Sequence, residues 1–401
     1  MTFLSSLSVF LFGCLTLVAP SGYSWGPALL LLLALVSYAL PEKPGIPGKS
    51  YRSLSMVFIL FFTVTFAGVL IHNLEFRALD RPSRFIFALM ALPFLAKYPP
   101  KPVFAWVGIA TGAFLGGLWA VKQVFWDGLS RAHGDTLAIQ YGNIGMLFGL
   151  MSLAGLFWAT QQKKGIAFKA LMVLGVAGGI TASLLSSSRG GWIALPIVLT
   201  IYLYTIRAYF TKRSLIAISL ISCTAIASLA LAPETSVHQR VNKAITEVNN
   251  YFETGKSTTS VGARLEMWKA AIILGMKRPL IGWGEIEVEK QKRRLVKKKG
   301  FDPEIQKYRH AHNDFLDSWQ KRGGLGLFSL ILLYVLPLIT FIKITNTGSL
   351  NQKPLALAGT ILCTCYVIFS LTQAFFEHNS GAMIYAFMLV IFWVMTTEAS
   401  D

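Results

Sequence analysis

The chain has 401 residues, of which 54% are apolar and only 14% charged, with a formal charge of +18. A soluble domain carries nearer a quarter charged residues. Here the apolar excess is gathered into runs of roughly 17–23 residues, the length that crosses a bilayer core, so a water-soluble globule is excluded. Runs such as Trp25–Leu40 and Leu325–Ile342 are continuous rather than alternating, which favours helices over a closed barrel as the way to satisfy the backbone in lipid.

In chain order, twelve membrane segments are expected, at about 3–19, 26–41, 54–73, 83–96, 103–122, 137–160, 168–186, 190–208, 213–232, 324–345, 355–374 and 380–398. The first has no basic leader and no clear cleavage site, and reads as a membrane helix rather than a removable signal. Cys14, Cys223, Cys363 and Cys365 all lie in apolar runs. They read as small packing residues and imply no disulfide framework. One alternating set of short loops is lysine-rich, with Lys43, Lys49, Lys97, Lys101, Lys163 and Lys353 among its members. The other set holds mainly Arg77, Arg81, Arg84, Lys122, Arg131 and Arg189. The lysine-rich set reads as cytoplasmic. Both termini are then cytoplasmic and the long stretch 233–323 lies outside.

The expected organisation is therefore an all-α polytopic membrane protein of about 12 helices, with residues 1–232, 233–323 and 324–401 as helices one to nine, a mostly helical external loop, and helices ten to twelve. In the loop, Thr258-Thr259-Ser260 can cap a helix over Gly262–Met276. Glu285–Lys299 reads as a second helix, closed by Gly300.

Four features can carry chemistry. Ser186-Ser187-Ser188-Arg189-Gly190-Gly191-Trp192 sits where segments seven and eight meet. Its glycines allow close backbone approach to a ligand, and an arginine at a membrane boundary reads as functional, against the alternative of a snorkelling side chain. Arg264 and Trp268 share a helix face. The guanidinium suits phosphate oxygens, unless it simply pairs with Glu266 or Asp302. His310-Ala311-His312-Asn313-Asp314 precedes segment ten and offers an imidazole for proton transfer; the alternative is a helix-start cluster capped by Asn313 or Asp314. On a helix, His310 and His312 would point apart, so no metal site is expected from them. The run containing Lys292, Arg293, Arg294 and Lys297 could hold an anionic lipid or a phosphorylated glycolipid, or be only a solvated face. No nucleic acid partner is expected there. Glu285, Glu287 and Glu289 would be splayed by helical spacing, and no nucleotide-binding or hydrolase motif is present.

Taken together, Ser188-Arg189-Gly190-Gly191-Trp192, then Arg264, Trp268, Pro279 and Gly282-Trp283-Gly284, then His312-Asn313 with nine residues to Gly323-x-x-Gly326, resemble the O-antigen ligase and polymerase superfamily. Gln373 to Asn379, at the outer end of segment eleven, fits the same pattern. The likeness spans the second half of the chain and leans towards the ligase branch. It implies a GT-C-like glycosyltransferase in the inner membrane of a Gram-negative bacterium, with its active site on the periplasmic face. Such a ligase moves a polysaccharide from undecaprenyl diphosphate to a sugar hydroxyl on lipid A–core. By this resemblance Arg189 and Arg264 stabilise the diphosphate without a metal or cofactor, and His312 deprotonates the acceptor for inverting attack. Asn313, His310 and Trp268 are expected to line the substrate site, with Lys292, Arg293, Arg294 and Lys297 receiving the phosphorylated core. The alternatives are a polymerase joining repeat units, a protein O-oligosaccharyltransferase, and, in a different class, a lipid-linked glycan transporter.

Overall fold

The computed structural model describes the chain apart from residues 40, 42–43, 46–47, 164, 210, 212–235, 255–256 and 400–401. The described residues form helices and no strands. In order these are α1 (Thr2–Leu15), α2 (Gly22–Ala39), α3 (Arg52–Ile71), α4 (Ser83–Lys97), α5 (Pro102–Val121), α6 (Ala138–Ala159), α7 (Gly165–Ser186) and α8 (Arg189–Ile206). After them come α9 (Ser236–Thr254), α10 (Ser260–Lys277), α11 (Glu285–Lys299), α12 (Asp314–Thr347), α13 (Gln352–Thr372) and α14 (Asn379–Glu398). Nine of the described helices are long and apolar enough to cross a membrane: α2, α3, α5 to α8 and α12 to α14. The protein is thus an all-α polytopic membrane protein. Helices α1 and α4 are shorter, at 14 and 15 residues, and α4 runs through Pro93. The expected segment 213–232 lies outside the described residues.

Helices α6, α13 and α14 are almost wholly buried and form the interior, whereas α2, α3 and α12 expose apolar stripes such as Leu32, Met56, Phe328 and Ile339. In lipid, helices associate through close packing and small residues rather than by expelling water. A Cβ on Gly117 would stand 2.5 Å from Gly178 Cα, so α5 and α7 touch backbone to backbone. Chain connections emerge at alternate ends of the bundle. At one end Arg81 meets Glu377 at 2.6 Å and Arg131 Nε donates to Ser186 O at 2.8 Å. At the other, Tyr51 donates to Glu398 at 2.8 Å and Ser5 to the Tyr98 carbonyl at 2.7 Å.

The loop helices sit on the first of these ends. Thr259 caps α10 by accepting from Gly262 N, and Gly300 closes α11 in the left-handed region. Met267, Leu274, Val288, Leu295 and Ile305 give this subdomain its own small apolar core. It is locked to the membrane helices at a break in α12, where Gly323 has φ +63° and ψ −157°. The break uncouples the backbone groups around it, and the Gly282-Trp283-Gly284 turn takes them up. Trp283 N donates to Gln320 O at 3.0 Å and Gly284 N to Lys321 O at 2.9 Å. In return Gly324 N donates to Pro279 O at 2.6 Å and Leu325 N to Leu280 O at 3.2 Å. Gly282, at φ +65°, and Gly323 each have a neighbouring backbone where a side chain would be. The two glycine motifs therefore form one joint.

Candidate functional site

At the loop-bearing end, a groove of about 290 Å³ is lined by Arg131, Arg189 and Arg264 with Ser187, Gly190 and Trp268. Ser187, at φ +56°, turns the chain between α7 and α8 within two residues. Ser188 stands at the N-cap but spends its hydroxyl on the Ala138 carbonyl of α6, at 3.0 Å. The first amides of α8 therefore have no side-chain cap, and Arg189 leads them, the arrangement that favours an anion at a helix start. Gly190 lines the groove, and the glycine pair also brings α8 against Asn143 and Ser183, where side chains would crowd.

Arg264 projects from α10. Burial and then Arg189 push its guanidinium below the usual arginine range, Arg131 adds to this, and Tyr308 and Glu247 oppose it. An arginine keeps its proton regardless, so three cations converge where a diphosphate would be welcome. No ion pair joins Arg264 to Glu266 or Asp302 among the described residues. Tyr251 donates to Glu266, and Asp302 accepts from Ser257 N and Glu304 N.

Beside the groove lies the histidine segment. Trp268 Nε1 donates to Ala311 O at 3.0 Å, tying groove to segment. His312 has φ +50°, so residues 310–312 are not helical. The expectation that the two imidazoles diverge fails for that reason: their rings stand 4.2 Å apart, and His312 N donates to His310 Nδ1 at 3.3 Å. His312 Nδ1 is hydrogen-bonded to Gln373 Oε1, and Gln373 Nε2 lies 3.0 Å from His378 Nε2. Burial, then the Arg264 charge, holds His312 below the usual histidine range against the pull of Gln373 and Asp317. Burial takes His310 and His378 down to about 4. All three imidazoles are neutral near pH 7.

The segment is held from below. Asn313 caps α12, accepting from Phe315 N and Leu316 N at 3.0 and 3.1 Å, and donates to Leu371 O at 3.2 Å. Both ends of its amide are therefore used by backbone. Asp314 accepts from Ser370 Oγ and Phe375 N, each at 2.8 Å. Asp317 accepts from Ala311 N at 3.0 Å and pairs with Lys321 at 2.8 Å, and Lys321 reaches Glu377 at 3.2 Å.

The basic run divides. Arg293, Arg294 and Lys297 are exposed on α11. Lys292 is not a surface residue, contrary to expectation: it is 1% exposed and donates to Tyr308 O at 3.0 Å. Burial pushes its amine down to about 8. Helical periodicity turns it, with Leu295, towards the loop's apolar core. Arg131, Tyr308 and Gln373 were not singled out as site residues by sequence. Arg131 was visible only as one of the outer-loop charges, and Gln373 only within the segment at the end of helix eleven.

One end of this bundle of apolar membrane helices thus carries an arginine groove beside a cluster of three histidines. A family model described as O-antigen ligase matches residues 174–331. An uncharacterized protein of Haemophilus influenzae is 30% identical over 98% of both chains. An O-antigen ligase of Escherichia coli is 23% identical over 52% of this chain and 48% of its own length. The chain belongs to the O-antigen ligase and polymerase superfamily.

Proposed function

We propose that the protein is an O-antigen ligase of the Gram-negative inner membrane, moving a polysaccharide from undecaprenyl diphosphate to a lipid A–core hydroxyl on the periplasmic face. The observation that carries this reading is the junction of the Arg131, Arg189 and Arg264 groove with a neutral His312 through the Trp268–Ala311 hydrogen bond. With Gln373 Oε1 accepting from Nδ1, His312 presents its other nitrogen, Nε2, as a base. The acceptor hydroxyl passes its proton to Nε2 as its oxygen attacks the anomeric carbon. The bond from that carbon to the diphosphate breaks, and the configuration inverts. Charge growing on the leaving diphosphate falls to Arg189 and Arg264, which bind its oxygens as planar forks. Exposed Arg293, Arg294 and Lys297 would meet the phosphates of the core, while Lys292 supports the histidine segment from inside.

The test is transfer by purified protein given undecaprenyl-diphosphate glycan and lipid A–core in excess EDTA. Glycan joined to core is expected. Joining of repeat units on the carrier would make it a polymerase. Carriage across proteoliposomes without bond exchange would make it a transporter. Loss of transfer in EDTA alone would return a metal to the mechanism.

A further inference from the structure

A second cavity, of about 480 Å³, opens at the same end of the bundle and shares no lining residue with the arginine groove. It is bounded by Tyr23, Asp135, Gln140, His378, Asn379 and Ser380, with the Arg81–Glu377 pair at its edge. Its chemistry differs from that of the groove. Arg81 is neutralised by Glu377 at 2.6 Å. Glu377 stays ionised: burial works against its charge, but Lys321, Arg81 and Arg322 hold its carboxyl well below the usual range. The cavity therefore offers a carboxylate, amides, a hydroxyl and an aromatic ring with no surplus positive charge, a set suited to sugar hydroxyls and not to phosphate. Gln140 is 1% exposed, and its Nε2 has no hydrogen-bond partner among the described residues. A buried amide donor left unmet costs about 1–3 kcal/mol, a cost that a ligand acceptor in the adjoining cavity would offset once this side chain turned towards it.

We propose that this cavity is the subsite for the uncharged sugar that accepts the glycan. This rests on the reading of the protein as a glycan transferase. His378 lines the cavity and is joined through Gln373 to His312. The cavity thus adjoins the histidine cluster from the Gln373 side. Gln140 Nε2 donates to a sugar hydroxyl, Asp135 and Asn379 accept from others, and Tyr23 offers its ring face.

The experiment is two-substrate kinetics on purified wild type and on Gln140→Leu and Asn379→Ala, with binding of deacylated core oligosaccharide measured in parallel. Asn379 is exposed, so its truncation spares the fold even where Gln140→Leu does not. Each variant is expected to raise the acceptor KM about tenfold, the loss of one or two hydrogen bonds, with the donor KM unchanged and core oligosaccharide binding weakened in step. A raised donor KM with normal acceptor binding would overturn the subsite, as would no change in either. If wild type transfers nothing to core, the proposed reaction fails, and the subsite still stands or falls on whether core oligosaccharide binds wild type and not the variants.

Discussion

At the scale of single residues, the chemistry depends on how one imidazole is held. In the proposed mechanism Gln373 sets which nitrogen of His312 carries the proton, and its hydrogen bond raises the imidazole's affinity for one. With His312 held below the histidine reference of about 6.5, the acid limb of the wild-type rate should fall below that value. Removing Gln373 takes away an influence that raises the His312 pKa. Gln373→Leu should therefore move the acid limb to still lower pH while cutting kcat by roughly a hundredfold, the range of general-base effects. A pH–rate profile of both proteins checks this, and an unmoved limb would reduce Gln373 to packing. Sequence made the histidine visible but not its partner. Gln373 lies 61 positions away in sequence, and nothing local to either residue announces the contact. Asn313 was legible both as a possible cap and as a substrate ligand, and its geometry is that of the cap.

At the scale of elements, the decisive feature is the joint between the 282–284 turn and the broken helix α12. Both Gly323 and Gly300 have positive φ, but a side chain on Gly323 would meet the Leu280 backbone, whereas one on Gly300 would meet none of the described residues within 4 Å. Gly300→Ala should cost only the left-handed penalty of about 1 kcal/mol. Gly323→Ala should cost several times that, separating the loop subdomain from α12 and abolishing transfer. Thermal unfolding of the two variants in detergent compares them directly, and equal melting would mean that the joint bears no strain. The loop helices were readable from caps and breakers, because Thr259 and Gly300 act locally. The membrane helices were readable from apolar length. The apolar run begins at the Gly323 break, so the start of segment ten was readable there, but the backbone joint with the 282–284 turn was not. The inward turn of Lys292 was masked by the basic residues that follow it.

At the scale of the whole molecule, the alternation of helices puts the long loop, the arginine groove and the second cavity at one end, with Tyr51, Lys353 and Glu398 at the other. In the proposed orientation, which rests on the lysine bias of the short loops, the second end is cytoplasmic. In intact cells, cysteine placed at Arg293 should react with a membrane-impermeant maleimide and cysteine at Lys353 should not; the reverse pattern would turn the protein over and leave the proposed reaction on the wrong face. The division of labour itself is tested by measuring, on the same purified proteins, the binding of undecaprenyl-diphosphate glycan and the release of undecaprenyl diphosphate. His312→Ala should bind the donor like wild type and release nothing, while Arg264→Ala should lose donor binding. Normal donor binding by Arg264→Ala, or normal release by His312→Ala, would contradict the placing of the diphosphate among the arginines and of the proton on the histidine.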